Sequence, residues 1–255
     1  TSKAEALPGV RGILRYDDPV LKEELTEQQI QWTGGLCALL PGRADWQGQP
    51  MGVAVCADTE QICERALRLV EIEWEVLPFI IDWEEALEPG APILHPDLRP
   101  DSNLLWDDVQ EFGNVAEGFA EADEIIEFRE DCEEDVWAGV EGFVCVARWQ
   151  GDYLEVWLHN QLPSAVQVHL SSDDLAMNVP VNKCQVVVPY QGSLFGGLSW
   201  IWYNYIFPRL AVVLAKRTNR PVKMLYDGSL FHGSGQTLGV WNYKVGAKND
   251  GTITV

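Results

Sequence analysis

A glycine-rich loop at residues 190–199 has the residue types in this chain that best fit ligand binding. It follows a short apolar run at 184–188 and precedes a long apolar stretch that ends near Arg217, so a strand-to-helix turn is predicted. Glycines at such a turn let the backbone approach a ligand, and free amides at a helix start attract anions. Leu198 stands where a Walker loop has lysine, and the Gly-x-Gly-x-x-Gly order is missing. Taken alone, the pattern favours a structural turn over a binding site.

Other reactive side chains lack the spacing of a catalytic or metal site. The four histidines fall in separate segments, and the six cysteines form no Cys-x-x-Cys pair and mostly lie in apolar runs. We therefore expect no imidazole metal site and reduced, packed thiols, as in a cytosolic chain. No Gly-x-Ser-x-Gly of a serine hydrolase is present. The acid-rich run at 127–135 predicts a solvated face, with a divalent-metal site as the alternative.

The elements that would position these residues alternate between strands and helices. Residues 51–76 predict a strand, a helix capped by Asp58, and a half-buried strand at 70–76. A proline-rich segment follows, with a short helix at 83–87, and Asn114 caps a further helix. The remaining predicted elements are paired strands at 142–149 and 153–159, a helix from Pro163, strands at 184–188, 221–226 and 241–247, and a hairpin turn at 249–251. The pattern indicates a mixed α/β chain of the α+β class.

The composition excludes several classes of protein. A length of 255 residues is typical of one large domain or two ordinary ones. The content of 47% hydrophobic and 22% charged residues is typical of a globular protein. The formal net charge of −21 would repel phosphate backbones and anionic membranes. No window reaches the ~18 apolar residues of a membrane span, and the first residues lack the apolar core of a signal peptide. We expect a cytoplasmic protein without nucleic-acid or membrane partners.

Several segments, taken in chain order, carry a family resemblance. They are Leu7 to Leu14, Gly48 to Val55, Gly113 to Asp123, Gly192-Ser-Leu-Phe-Gly-Gly197, Lys216 to Lys223 and Tyr243 to Thr252. Together they resemble the molybdenum-binding subunit of the molybdenum hydroxylases, the xanthine dehydrogenase and aldehyde oxidase family. The resemblance implies an α/β hammerhead domain at 1–82, a linker at 83–112 and the first part of a molybdopterin-binding domain at 113–255.

The resemblance also implies an activity and a site. Such an oxidoreductase hydroxylates an aldehyde or a (hetero)aromatic substrate with oxygen from water, and its molybdenum is held by a pterin rather than by protein side chains. Gln161 matches the family's Gln that hydrogen-bonds a molybdenum oxo group, and the loop beside the cofactor matches Gly192, Ser193, Leu194, Phe195, Gly196 and Gly197. The family's catalytic base, a Glu, falls beyond Val255, so no catalytic residue is assigned. The cytosine dinucleotide form of molybdopterin is one option.

The implied partners are the rest of the molybdenum subunit, an iron–sulfur subunit with 2Fe-2S clusters, and a flavin subunit with FAD. No cluster-binding cysteine spacing occurs in this chain. Leu198 and Ser199 replace the Lys and Glu common in the family, which keeps open a non-catalytic scaffold or assembly subunit. An unrelated acidic α/β binding protein is the third interpretation.

Overall fold

The computed structural model describes residues 1–21, 40–45, 49, 51–104, 107–132, 143–171, 179–192, 207–226 and 239–255. These residues form helices and mixed strands, which confirms the α+β class. The helices are α1 (Ser2–Glu5), α2 (Glu60–Leu67), α3 (Trp83–Leu87), α4 (Val115–Ala120), α5 (Pro163–Ser171) and α6 (Phe207–Thr218), with short 3₁₀ turns at Pro19–Leu21 and Val181–Lys183. The strands are β1 (Val10–Arg15), β2 (Val53–Ala57), β3 (Glu124–Cys132), β4 (Phe143–Gln150), β5 (Tyr153–Leu158), β6 (Cys184–Val187), β7 (Val222–Tyr226) and β8 (Gly239–Ala247).

The chain divides into two compact units. The first unit comprises Thr1–Phe79 and Trp137–Ser234, and the second comprises Ile80–Val136 and Gly235–Val255. The first unit therefore joins most of the predicted hammerhead domain to the middle of the predicted molybdopterin-binding domain. The domain boundaries at 82 and 112 stay predictions.

A four-stranded sheet, in the order β6-β5-β4-β7, is the framework of the first unit. The antiparallel pair β4–β5 forms around the turn at Gly151, whose φ of 63° suits glycine, and this confirms the predicted hairpin. β5 pairs with β6 in parallel, and α5 lies between them in the chain, where Gln167 Nε2 donates to the Cys184 carbonyl at 2.7 Å. β7 pairs with β4 antiparallel, so β5, β6 and β7 all point the same way.

The core of this unit lies between the sheet and α6. Every side chain of α6 from Phe207 to Ala215 is buried. Trp149 of β4 donates through Nε1 to the Val212 carbonyl at 3.1 Å, and the Lys216 ammonium lies 3.9 Å from its ring centroid. The fully buried apolar side chains of this core are Leu14, Ala147, Leu154, Val156, Val166, Leu170, Ala211 and Val212. The positions of the strand ends are therefore set by a close-packed layer.

The β1–β2 pair also belongs to the first unit, and α2 follows it. The helix is present as predicted, but the prediction that Asp58 caps it is wrong, because Thr59 Oγ1 accepts from the Ile62 amide at 3.3 Å. The Asp58 carboxylate instead accepts from Arg11 Nε at 2.8 Å and from Arg220 at 3.3 Å. Charge-assisted hydrogen bonds from two guanidinium groups stabilise the Asp58 carboxylate more than a bond from one backbone amide would.

The predicted strand at 70–76 is also wrong. These residues form neither strand nor helix, and Trp74 and Val76 are 62% and 85% exposed. Alternation of apolar and acidic residues produces a strand only where a neighbour supplies ladder hydrogen bonds. Among the described residues, no strand pairs with this segment.

The second unit contains the antiparallel ribbon β3–β8, with nine residue pairs. Asn114 caps α4 through its Oδ1, which accepts from the Glu117 amide at 3.2 Å, as predicted. The hairpin turn at 249–251 is confirmed, because the Lys248 amide donates to the Thr252 carbonyl at 2.8 Å and Gly251 has φ 88°. The acid-rich residues 127–132 are exposed, which confirms the solvated face, and 133–135 lie outside the described residues. No helix in the described ranges is long and apolar enough to cross a membrane.

Candidate functional site

The candidate site lies at one edge of the four-stranded sheet. β5 and β6 are parallel neighbours, so their carboxyl ends meet at the same edge. Gln161 comes three positions after Leu158, the last residue of β5, and Gly192 comes five positions after Val187, the last residue of β6. Ligands bind at the carboxyl ends of parallel strands because loops diverge there and helix amides face the opening. The topology thus places two sequence-predicted site residues just beyond the carboxyl ends of the parallel pair β5 and β6.

Gln161 lies in a short turn that is held by its neighbour. Asn160 is fully buried, and its Oδ1 accepts from the Leu162 amide at 2.6 Å, which closes the turn between β5 and α5. Gln161 itself is half-buried. Within the described residues its carboxamide makes no hydrogen bond, so two N–H donors and a carbonyl oxygen are available to a ligand.

His159 joins this turn to the start of the glycine-rich loop. Its Nε2 lies 2.8 Å from the Gly192 carbonyl oxygen and 3.2 Å from the Gly192 amide nitrogen. Its own backbone amide donates to the Val144 carbonyl of β4 at 3.2 Å. The imidazole is therefore a link between two segments that are 33 positions apart in the chain.

The predicted site residues separate into two groups. Gln161 and Gly192 are brought to one sheet edge through His159. The other loop residues predicted to contact the cofactor lie outside the described residues and stay predictions: Ser193, Leu194, Phe195, Gly196 and Gly197.

The thiols near the sheet are not suited to bind a metal. Burial raises the pKa of the Cys145 thiol to about 12, and it also raises the pKa of Cys184. Both side chains are buried and protonated at neutral pH, whereas a metal needs the thiolate. In the described part of the chain, no group of three or more His, Cys, Asp or Glu side chains could hold a metal ion.

Burial, with the nearby Arg209 charge as a second cause, lowers the pKa of His169 on α5. His169 is therefore a neutral imidazole at physiological pH. The Gln161 carboxamide and the Gly192 backbone, which lie near the strand ends, are likewise uncharged.

An α+β fold with uncharged polar groups near the ends of parallel strands is compatible with a cofactor-binding domain. The sequence model of the molybdopterin cofactor-binding domain family matches residues 94–255. The chain therefore belongs to this family, and the resemblance to the molybdenum hydroxylases is confirmed.

Known proteins extend the same likeness over nearly the whole chain. The probable hypoxanthine oxidase XdhD of Escherichia coli is 26% identical over an alignment that covers 99% of this chain and 30% of that protein. The carbon monoxide dehydrogenase large chain of Afipia carboxidovorans is 28% identical over 89% of this chain and 29% of its own length. The crystal structure of quinoline 2-oxidoreductase from Pseudomonas putida shares the fold with a TM-score of 0.81, 23% identity, and coverage of 99% of this chain and 32% of that one. The chain spans about a third or less of the length of these relatives.

His159 is the site residue that sequence reasoning missed. No other histidine lies at ligand spacing from it in the sequence, so the sequence carried no signal for a metal or catalytic role. Its partner is a backbone group, and the parallel pairing of β5 with β6 brings that group near. Only its position two residues before Gln161 could have suggested a part in the site.

Proposed function

We propose that this chain contributes part of the cofactor site of a molybdenum-dependent hydroxylase that oxidises an aldehyde or a (hetero)aromatic substrate with oxygen derived from water. One observation carries the proposal. A chain of the molybdopterin cofactor-binding family has Gln161 and Gly192 at the carboxyl ends of the adjacent parallel strands β5 and β6.

The described residues fit an oxygen-rich, anionic cofactor. The Gln161 carboxamide is half-buried and makes no other hydrogen bond within the described residues, so it can donate to a cofactor oxygen. Uncharged amides satisfy such oxygens without the desolvation that an ionised side chain requires. We assign cofactor contact to Gln161 and to the loop from Gly192 to Gly197.

The bound molybdenum cofactor would supply the two-electron redox chemistry that side chains lack. The chain's own residues orient and enclose it. Asn160 closes the turn that directs Gln161, and the close packing of α6 against β4 keeps the strand ends in place. Donors that are fixed before the ligand arrives require no reorganisation during the reaction.

The partners follow from the same assignment. We propose that electrons pass to a 2Fe-2S subunit and then to an FAD subunit, and that the remainder of the molybdenum subunit completes the site. The Afipia relative is named as the large chain of its enzyme, which supports a complex of several subunits. The name of the Escherichia coli relative supports an N-heteroaromatic substrate. The cytosine dinucleotide form of the cofactor and the cytoplasmic location stay predictions.

The test is metal analysis of the full-length protein, purified gently with its partners. Stoichiometric molybdenum together with iron is the expected result, and substrate screening with aldehydes and N-heterocycles would follow. Gly196→Val should abolish molybdenum retention while the N-terminal part stays folded, because a branched side chain obstructs close approach of the backbone. An intact complex without molybdenum would refute the proposal and favour the scaffold that the Leu198 and Ser199 departures keep open.

A further inference from the structure

His159 occupies a position from which it can control the geometry of the cofactor site. Its backbone is tied to β4, because its amide donates to the Val144 carbonyl at 3.2 Å. The next residue, Asn160, is fully buried and closes the turn that carries Gln161. The backbone of His159 is therefore held in place. Its half-buried imidazole contacts Gly192, where Nε2 lies 2.8 Å from the carbonyl oxygen.

We propose that His159 is a positioning residue, whose ring holds the first glycine of the loop at a fixed distance from Gln161. The inference rests on the proposed function and names a residue that it did not include. A glycine at the start of a loop has more backbone freedom than any other residue, so an external hydrogen bond is needed to hold it in one conformation. The imidazole supplies that bond from the same turn that carries Gln161.

Either neutral tautomer of His159 can hold Gly192. A protonated Nε2 donates to the Gly192 carbonyl, which matches the 2.8 Å separation. An unprotonated Nε2 accepts from the Gly192 amide at the longer distance of 3.2 Å. One nitrogen cannot make both bonds at once, so Gly192 has one bond from the ring in each tautomer.

The hydrogen-bonding groups of the replacement side chain predict which substitutions of His159 keep the bond to Gly192. Gln has a carboxamide group near the position of the imidazole Nε2 and can donate or accept, so His159→Gln should preserve the link. Phe keeps a flat ring of similar size without a polar atom, so His159→Phe should lose it. Gln167→Met is the matched control, because it removes a donor to a backbone carbonyl, that of Cys184 at 2.7 Å, in the same unit but away from the loop.

The experiment uses the full-length protein with its partners and measures the molybdenum retained after dialysis. It also measures amide hydrogen exchange at Gly192 in the cofactor-free protein. We expect His159→Phe to lower molybdenum retention about fivefold, the effect of losing one hydrogen bond, and to speed exchange at Gly192, because the backbone that carries its amide is no longer held. His159→Gln should restore both values, and Gln167→Met should change neither.

Three other outcomes would overturn the inference. Unchanged retention and exchange in His159→Phe would show that the ring does not hold the loop. Equal losses in His159→Phe and Gln167→Met would show a general loss of stability. Failure of His159→Gln to restore the values would exclude the hydrogen bond as the cause. A wild-type complex without molybdenum would refute the proposed function instead, while Gly192 exchange would still test the link.

Discussion

The ion pair between Asp18 and Arg217 should measurably stabilise the first unit. The two guanidinium nitrogens of Arg217 donate to the two carboxylate oxygens of Asp18, both at 2.6 Å, across 199 positions of the chain. The Asp18 side chain is only 15% exposed, whereas that of Arg217 is 41% exposed. Bonds to charged groups contribute about 1.5–3 kcal/mol when buried, and solvent screening at Arg217 reduces this to about 1 kcal/mol. Asp18→Asn should therefore lower the free energy of unfolding by about 1 kcal/mol.

Asn is the informative substitution because it removes charge and keeps an oxygen. Asp18 Oδ1 also accepts from the Val20 amide at 3.1 Å, and the Asn carbonyl oxygen can replace it there. Urea unfolding followed by tryptophan fluorescence measures the change, which corresponds to a thermal midpoint about 2–4 °C lower for a protein of this size. Asp17→Asn is the control, since its pair with Arg15 is about half exposed on both sides and should change stability by less than about 0.5 kcal/mol. Equal effects of the two substitutions would refute the reasoning.

The stabilisation by the Asp18–Arg217 ion pair should also depend on pH in a defined direction. The hydrogen bonds from Arg217 are the main cause that lowers the pKa of Asp18 in the folded protein. The stabilisation is therefore fully present above the unfolded-state pKa of about 4 and is lost as the pH falls through the lower, folded-state pKa. The difference between the wild type and Asp18→Asn should be constant from pH 7 to pH 5 and should shrink below pH 4. A difference that grew on acidification would contradict the assigned cause.

Two further substitutions test local features of the structure. Thr59→Ala removes the cap of α2, whose hydroxyl accepts from the Ile62 amide, and should cost about 1 kcal/mol; unchanged amide exchange at Ile62 would contradict it. Gly118→Ala places a Cβ 2.7 Å from the Thr254 carbonyl oxygen and 2.7 Å from the Val255 Cβ, and should destabilise the second unit by about 1–3 kcal/mol. Faster hydrogen exchange at 246–255 would show this loss, and exchange at wild-type rates would exclude the clash.

Elements whose signals are local could be predicted from the sequence. The β4–β5 hairpin follows from two alternating runs around Gly151, and the cap of α4 follows from Asn114 alone. Features that depend on distant partners could not. The guanidinium groups of Arg11 and Arg220 bind the Asp58 carboxylate. No local sequence pattern shows that they compete for it with the first backbone amides of α2. The alternation at 70–76 has no pairing strand among the described residues, so its period alone predicted the wrong conformation.

The candidate site also combines features with local sequence signals and features that depend on distant contacts. Family resemblance identified Gln161 and Gly192, because their motifs are local in the chain. Their proximity depends on the parallel pairing of β5 with β6, a contact between residues about 30 positions apart. The link through His159 depends on that pairing too, so it became visible only once the strands were in register.

The sheet topology separates the residues that stabilise the first unit from those that form the site. α6 ends at Thr218 and leads directly into β7, so Arg217 lies near the amino end of β7. Because β7 points the same way as β5 and β6, that end is opposite the edge with Gln161 and Gly192. Asp18→Asn should therefore lower the unfolding midpoint while molybdenum per folded protein stays at the wild-type level. A fall in molybdenum as large as that expected for His159→Phe would show that the two ends of the sheet are coupled and that the strand framework does not isolate the site.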